Sequence, residues 1–465
     1  SAGLTSQTDQ HTVQRLNPIG VPSISTSNVP TSQLNLSNLA KNLEGPPQQA
    51  ARQGVIVVAV STSHMEGAGA AGGGSGSVAV SVAGGFAVHT INTTASIGSG
   101  AQINQTSGGS AQQSVYVDAG RAYHNLTLGI GAAFSGAVAI SPAVAVPILQ
   151  GTTSAKIIGA GSSLVKDDGT TSGGPTLVSA KQDVEVAAVA QADFIAVAVG
   201  LTASGTAAIA GSGAVIVVTT TTEASIGGLA QVAAGGNVLV SALDVTTAYA
   251  IAGGVGIGIG GGGGAGAFAV SVITKNTNAY IRDDAVVDAG GNGSSLLTGI
   301  MTGDLNTQQA IRGVAVQAYS SETLVNVAGS GAGGSYVGIA GSVDAEIVNS
   351  NTVAAIFGGA QVNQNNSATA NALQTVAVGA RNDLKVTAVA GAVAISATVG
   401  VGAGADIQVI RNNAVAFIAD SGTKVRARNA VNVDALSTRD ILSIGVAAGV
   451  GQFALAGGIS VISIG

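Results

Sequence analysis

Apolar residues recur along the chain in two short alternating patterns. The first, Val-x-Val-x-Ala, lies at 55–59, 115–119, 238–242, 314–318, 376–380 and 431–435, with a variant, Thr-Leu-Val-Ser-Ala, at 176–180. The second, Ala-x-Ile, alternates with the first at 95–97, 155–157, 224–226, 279–281, 354–356 and 416–418. Self-similarity at a near-constant interval is typical of stacked repeat proteins. The patterns therefore predict an array of repeated units over residues 51–465.

The spacing of the two patterns indicates which half of a unit has a fixed length. From the last Ala of the first pattern to the next Ala-x-Ile, the step is 36 or 37 residues, except for 44 in the unit that starts at the variant. The other half varies from 14 to 35 residues. Insertions are tolerated where loops leave a packed body. We expect loops to project from one place in every repeat, at 104–114, 165–175, 293–313 and 363–374.

The variable half predicts a coil of a β-solenoid. Apolar residues recur there at steps of six or seven, as at Ile226, Val232 and Val238. Three short strands joined by tight corners stack such residues inward in ladders. The corners contain Ala-Gly-Gly-Asn at 234–237 and 289–292, and Gly and Asn are suited to tight turns. The predicted fold class is all-β, a repeat β-solenoid or parallel β-helix.

The fixed half is rich in glycine and leaves two structures open. It could form two long antiparallel strands folded at the glycines as a β-hairpin, or two extra coils of about eighteen residues each. Alternation such as Val-Gly-Ile-Gly-Ile at 255–259 favours the hairpin, because period two places Val and Ile on one face and Gly on the other. A glycine face allows another sheet to approach closely.

Residues 1–50 differ from the array and predict an extended N-terminal arm or linker. Five of the eight prolines lie there, among many Ser, Thr, Asn and Gln residues. The segment could be a disordered tail or an arm that lies along a neighbouring subunit. The array itself is expected to hold about six units, with the last unit truncated, because only 30 residues follow Ala435. An open edge invites pairing, so we expect a longer array or head-to-tail self-association into fibres.

Composition narrows the class of protein. Only 9% of the residues are charged and 3% are aromatic, with 70 glycines and no Trp, so the core must consist of thin layers of Val, Ile, Ala and Gly. The stretches 194–222 and 245–274 lack charge and are long enough to span a bilayer. Their Gly, Ser and Thr content and their recurrence argue against this. We expect a chain that is not membrane-spanning.

The absence of Cys and the scattered charge exclude further classes. No disulfide, zinc–thiolate site or thiol catalysis is available to a chain without Cys, which also fits export in the unfolded state. The net charge is −6, and Lys and Arg are scattered singly without aromatic interleaving. Nucleic-acid binding is therefore not expected. The first six residues show no basic region before an apolar run.

Candidate chemistry is sparse. The four histidines, His11, His64, His89 and His124, follow neither metal-site spacing nor the repeat. The acid pairs at 167–168 and 283–284 lie in predicted loops, where carboxylates can hold Ca²⁺ or cleave glycosides, but neither pair recurs. A Gly-x-Gly-x-x-Gly match at 256–261 lacks the strand and helix of a nucleotide loop. We expect no catalytic, cofactor-binding or metal-binding residues and no cofactor.

The succession Ala-x-Ile, Ala-Gln-Val, Ala-Gly-Gly-Asn-Val-x-Val-x-Ala with a Gly/Ala/Val-rich segment resembles the repeats of large bacterial surface adhesins. These are the filamentous-haemagglutinin-like and autotransporter-passenger β-helical proteins. The resemblance covers about residues 51–465. It implies an extracellular rod that displays binding surfaces and carries no active site.

The sequence thus predicts a structural, surface-exposed fibre or adhesin rather than an enzyme. Its contact sites are expected in the polar variable loops, with a glycan or cell-surface ligand as a candidate partner. Two alternatives remain open. A β-helical polysaccharide-degrading enzyme would require a cluster of acids, basic residues or aromatics on one solenoid face. A passive spacer segment of a giant surface protein would bind nothing through its loops.

Overall fold

The computed structural model describes residues 53–106, 108–159, 175–293, 296–301, 308–365 and 369–465. The arm predicted at 1–50 lies outside these residues. Every regular element in the described part of the chain is a β-strand, so the all-β prediction is confirmed.

The strands are numbered in chain order. They are β1 (Gly54–Ser75), β2 (Val78–Val80), β3 (Ala83–Ile97), β4 (Gln102–Ile103), β5 (Ser114–Ser135), β6 (Val138–Ile158), β7 (Leu177–Ala180), β8 (Val184–Ser204), β9 (Ala207–Gly227), β10 (Gln231–Ala234), β11 (Val238–Gly258), β12 (Gly262–Ile281), β13 (Val286–Ala289), β14 (Leu296–Met301), β15 (Gln308–Gly334), β16 (Val337–Ile356), β17 (Gln361–Val362), β18 (Gln374–Ser396), β19 (Val399–Ile418), β20 (Lys424–Val425), β21 (Ala430–Val450) and β22 (Phe453–Ile464).

These strands form three parallel sheets. The first long sheet has the order β1-β5-β8-β11-β15-β18-β21, and the second has β2-β6-β9-β12-β16-β19-β22, with β3 also beside β6. The short sheet has the order β4-β7-β10-β13-β17-β20. A coil takes one strand from each sheet, and each strand pairs in register with its equivalent in the next coil. The predicted β-solenoid is therefore confirmed, and the described residues form seven coils.

The fixed half of each unit forms neither a β-hairpin nor extra coils, which corrects the prediction. Strands β11 and β12 do fold back on each other at residues 259–261. However, β11 hydrogen-bonds to β8 and β15, and β12 hydrogen-bonds to β9 and β16. The two strands face each other across the sandwich, so one repeat is one coil with two long strands. Pairing with an equivalent strand satisfies the same backbone groups as a hairpin would.

The stretch 176–180 is not a copy of the Val-x-Val-x-Ala pattern, which corrects the prediction. Its residues form β7 in the short sheet, where Leu177 lies beside Gln231. The true equivalent is Val-Glu-Val-Ala-Ala at 184–188, since Val184 lies beside Val238. Ala188 precedes Ala224 by 36 residues, so the anomalous spacing of 44 disappears.

Insertions do not all leave from one corner, contrary to the prediction. Those at 104–114, 293–313 and 363–374 join a short-sheet strand to the next long strand. The stretch 165–175 instead lies between β6 and β7, and residues 165–174 are outside the described part of the chain. The segment 293–313 is not only loop, because β14 pairs antiparallel with the start of β15.

The interior changes from one end of each coil to the other. At the triangular end, where all three sheets meet, inward ladders of Val, Ile and Ala pack together, including Val240, Ile281 and Val287. Further along the coil, Tyr123 and Phe194 fill the space between the two long sheets. At the narrow end, beside the turn that joins the two long strands, the interior contains mainly Ala and Gly.

Candidate functional surfaces and interior charge clusters

Glycines bring the two long sheets into close contact at the narrow end. A Cβ atom placed on Gly256 would lie 2.2 Å from the carbonyl oxygen of Gly264, and one on Gly258 would lie 2.1 Å from that of Gly262. Both distances are too short for any side chain. The expectation that the glycine face permits a close sheet approach is confirmed, and the Gly-x-Gly-x-x-Gly match is a packing element.

Because side chains alternate along a strand, inward glycines place the intervening Val and Ile residues outside. On β11 the outward residues from Tyr249 to Ile257 are Tyr, Ile, Gly, Val and Ile. Val255 and Ile257 are 39% and 46% exposed, whereas Gly254 and Gly256 are buried. The narrow end is thus inverted relative to an ordinary sandwich, with its larger apolar side chains facing outward.

The outer face of the second long sheet is apolar over all seven coils. Each strand of this sheet contributes six outward positions at the narrow end, and the register between strands shows which positions are equivalent from coil to coil. Among these positions the only polar residue is Ser463. Ile209 and Ile339 are each 53% exposed. We call this surface the apolar face; its outward positions lie in the stretches 78–88, 138–148, 207–217, 262–272, 337–347, 399–409 and 453–463.

A sharp polar boundary ends the apolar face. The next outward column contains Thr90, Gln150, Thr219, Thr274, Asn349 and Arg411. The column after it includes an asparagine ladder, in which Asn351 donates to Asn276 at 3.5 Å and Asn413 donates to Asn351 at 3.1 Å. Six positions along the strands and seven coils across them give a face of about 1,000 Å². The largest apolar patch on a typical monomer is about 300–600 Å².

A buried ion network lies between the long sheets, closer to the triangular end. The ammonium nitrogen of Lys275 on β12 is 3.1 Å from a carboxylate oxygen of Asp244 and 2.9 Å from one of Glu322. Thr220 and Thr222 donate to Asp244 at 3.1 and 2.8 Å. These side chains are fully or almost fully buried. The interior thus compensates these two acids with its own cation.

A second group of buried acids lies nearer the narrow end, and no cationic side chain among the described residues pairs with it. Asp344 and Glu346 point inward from β16, and Asp406 points inward from the adjacent strand β19. All three are completely buried, and one carboxylate oxygen from each lies within 4.8 Å of the other two. Asp344 is in register with Asp406, and Glu346 with Gln408. We call Asp344, Glu346 and Asp406 the acid cluster.

Few donors reach the acid cluster. One oxygen of Asp406 accepts a hydrogen bond from the Gln408 amide at 3.0 Å and another from the Ser443 hydroxyl. Within the described part of the chain, its other oxygen has no hydrogen-bond partner, nor does the side-chain carbonyl of Gln408. Burial raises the pKa of both Asp344 and Glu346 well above the ordinary carboxyl range, and the nearby carboxylate of Asp406 adds to the rise. The cluster therefore favours any state that removes negative charge.

The acid cluster was not predicted from the sequence, although counting along the strands gives the inward direction of its members. Asp344 and Asp406 each lie ten residues before the Ala of their Ala-x-Ile pattern, at Ala354 and Ala416. An even step along a strand keeps the same face, so both acids must point inward in the same ladder. Residues an odd number of positions before the same Ala point outward, and those near the narrow end form the apolar face.

The described histidines make two separate ring contacts. His64 and His124 occupy equivalent outward positions of β1 and β5 and stack with their ring centroids 4.7 Å apart. His64 also lies 3.0 Å from the exposed carboxylate of Glu66. His89 packs beside Tyr123, at 5.5 Å between ring centroids. His11 lies outside the described residues.

Of the two aspartate pairs, 283–284 lies among the described residues. Asp283 and Asp284 form the turn between β12 and β13, both at positive φ, and Arg282 lies 3.5 Å from Asp283. This position agrees with the loop predicted for them. The pair at 167–168 lies outside the described residues.

A scan of the sequence against models of known protein families found no match. Searches of curated proteins and of solved structures likewise found no significant similarity. The resemblance to large surface adhesins therefore stays a prediction. In the described part of the chain, no helix has the length and apolar character needed to cross a membrane.

Proposed function

We propose that this chain is a structural adhesin or fibre protein of the extracellular space or cell surface, without a catalytic role. In this proposal the coils form a rigid scaffold, and the apolar face is where the scaffold contacts further copies of itself. The single observation that carries the proposal is the size and continuity of this face, which extends over seven coils without a charged residue.

The area of the apolar face supports self-association. If two copies pack these faces together, they bury about 2,000 Å² in total, which lies at the upper end of standard stable interfaces. Sheets pack face to face at about 10 Å through side chains of this kind. The glycine positions of the face, such as Gly211 and Gly266, leave recesses beside Ile209 and Phe268 for side chains of a partner sheet.

The proportions of the coil stack also favour lateral contact. Seven coils extend about 30 Å along the solenoid axis, whereas a strand of twenty residues extends about 65 Å across it. The broad sides of the sheets are thus the principal surfaces of the scaffold. Attachment to a glycan or cell surface through the polar loops at 104–114 and 363–374 belongs to the same proposal.

The test is a triple substitution on the apolar face, Ile209→Thr, Ile339→Thr and Ile407→Thr. These side chains are 43% to 53% exposed, and Thr keeps the β-branched shape preferred in strands. Sedimentation velocity over a range of concentrations measures assembly, and electron microscopy shows its form. We expect the native chain to associate side by side and the triple variant to stay monomeric with the same circular dichroism.

The matched control is Val415→Thr. Val415 is an outward residue of the same sheet, 44% exposed, but lies near the triangular end, beyond the polar boundary. The Val415→Thr variant should associate like the native chain. Equal association of the native and triple-variant chains would show that the apolar face is not the contact surface.

A further inference from the structure

The acid cluster contrasts with the buried ion network in the same interior. Asp244 and Glu322 have Lys275 between them, and hydroxyl groups donate to both acids. Among the described residues, no Lys, Arg or His side chain forms an ion pair with a member of the acid cluster. Burial of unpaired carboxylates is strongly unfavourable, so the acid cluster requires protons or a cation.

One oxygen of an uncharged side chain at the acid cluster also has no hydrogen-bond partner among the described residues. Gln408 is completely buried, and its amide nitrogen donates to Asp406, which fixes the amide beside the acids. Its carbonyl oxygen accepts no hydrogen bond. A cation would use the carbonyl oxygen as a ligand.

The geometry of the acid cluster matches a single cation. Calcium binds oxygen ligands at about 2.3–2.6 Å, so two oxygens bound to the same ion lie at most about 5 Å apart. One oxygen each from Asp344, Glu346 and Asp406 satisfies this limit, at 4.8 Å or less. The donors are all carboxylate or amide oxygens, which hard divalent cations prefer over the softer metals that bind Cys or His.

We propose that the acid cluster is an internal binding site for one calcium ion, held by Asp344, Glu346 and Asp406 and completed by the carbonyl oxygen of Gln408. No metal was predicted at this place from the sequence. Calcium would neutralise two of the three negative charges and would tie coil five, which contains β16, to coil six, which contains β19. The ion thus acts as a structural link between successive coils.

The complete burial of the acid cluster determines when the ion enters. Because Asp344, Glu346 and Asp406 expose no surface, the ion is incorporated while the two coils stack, rather than exchanged in the folded state.

The experiment is refolding of the full chain from denaturant, in parallel with calcium chloride and with EDTA, followed by gel filtration. Elemental analysis should find a single calcium ion per chain after refolding with calcium. The thermal midpoint of the calcium-loaded chain should exceed that of the EDTA sample by several degrees, since a ligand that binds only the folded state stabilises it.

The diagnostic variant is Glu346→Gln, which keeps the size of the side chain and removes its charge. A Gln already occupies the equivalent position of the next coil, at Gln408, so the substitution should fit the fold. We expect this variant to fold, to retain no calcium and to have the same midpoint in calcium and in EDTA. Asp406→Asn is the second variant, should Glu346→Gln fail to fold.

The control is Asp440→Asn, which removes an acid that is 77% exposed at the side chain and lies outside the acid cluster. It should bind calcium like the native chain. The proposal is overturned if refolded native chain retains no calcium, or if Glu346→Gln and Asp406→Asn retain as much as the native chain. The first result would leave the cluster as a network of protonated carboxyl groups, and the second would assign the bound calcium to the surface.

Discussion

Replacing Lys275 by Met removes a buried positive charge and leaves two buried carboxylates without it. The ammonium nitrogen lies 3.1 Å from Asp244 and 2.9 Å from Glu322, on the opposite sheet of the sandwich. Met preserves most of the unbranched stem, so packing changes little. The substitution therefore tests whether the charges of Asp244 and Glu322 depend on Lys275.

The expected loss follows from the partners that remain. Removing one member of a buried ion pair typically destabilises a protein by about 3–5 kcal/mol. Asp244 keeps its hydrogen bonds from two threonines, with Arg121 at 3.9 Å, whereas Glu322 keeps only hydroxyl donors, from Ser320 and Ser350. Most of the loss should therefore come from Glu322. When Glu322→Gln is added to Lys275→Met, the double variant should regain about 2 kcal/mol or more of the lost free energy of unfolding.

Urea unfolding followed by circular dichroism measures these differences. Because each strand hydrogen-bonds to the equivalent strands of the adjacent coils, hydrogen exchange of β11, β12 and β15 measures the local loss separately. The control is Lys385→Met, which removes an exposed cation 3.6 Å from Asp440 and should change stability by about 1 kcal/mol or less.

Two results would refute this reasoning. If Lys275→Met unfolds at the same urea concentration as the native chain, the carboxylates do not need its charge. If the effects of Lys275→Met and Glu322→Gln simply add, the two groups are not coupled across the sheets.

Three further predictions concern other parts of the interior. Val240→Asp should destabilise the chain by about 4 kcal/mol or more in urea unfolding, because the residue is completely buried in the triangular end; an unchanged midpoint would contradict its inward position. Gly256→Val should prevent the sheets from closing on Gly264 and lower the thermal midpoint, whereas Gly253→Ala, with open space around its Cβ, should not. In EDTA, the thermal midpoint should be higher at about pH 5 than at about pH 8. Burial raises the pKa of Glu346, so the protonated carboxyl group favours the folded state at low pH, and this stability is lost as the pH rises. Glu346→Gln should flatten this dependence; the same slope in both chains would exclude Glu346 as its source.

The triangular end could be predicted from the sequence because its signal is local. Ile226, Val232 and Val238 each lie at or next to the end or start of a strand, and their spacing alone indicates the three-sided core. Local patterns do not show which strand a long strand hydrogen-bonds to. Alternating Gly and Val on β11 is compatible with pairing to β12 or to β8, and both satisfy the backbone. Only the equal spacing of the repeat patterns favours the second arrangement.

The acid cluster and the apolar face could not be read from local patterns. Asp344 and Asp406 are 62 residues apart, and only the register of β16 with β19 brings them together. Their inward direction was available by counting from Ala354 and Ala416, but their lack of a cation was not. In the other network, Lys275 lies 31 residues from Asp244 and on the opposite sheet, so its position depends on how the two sheets face each other.

The inverted narrow end links the stability of the fold to its assembly. Hydrophobic stabilisation scales with the apolar area removed from water, at about 25 cal/mol per Å². Glycines and alanines inside the narrow end supply little such area, and residues that could supply more, such as Ile257 and Ile339, face outward. Packing that buries these side chains against another copy therefore adds stability that a single copy does not have. Assembly should protect backbone amides at the narrow end more than at the triangular end, where Val240 and Ile281 are already buried.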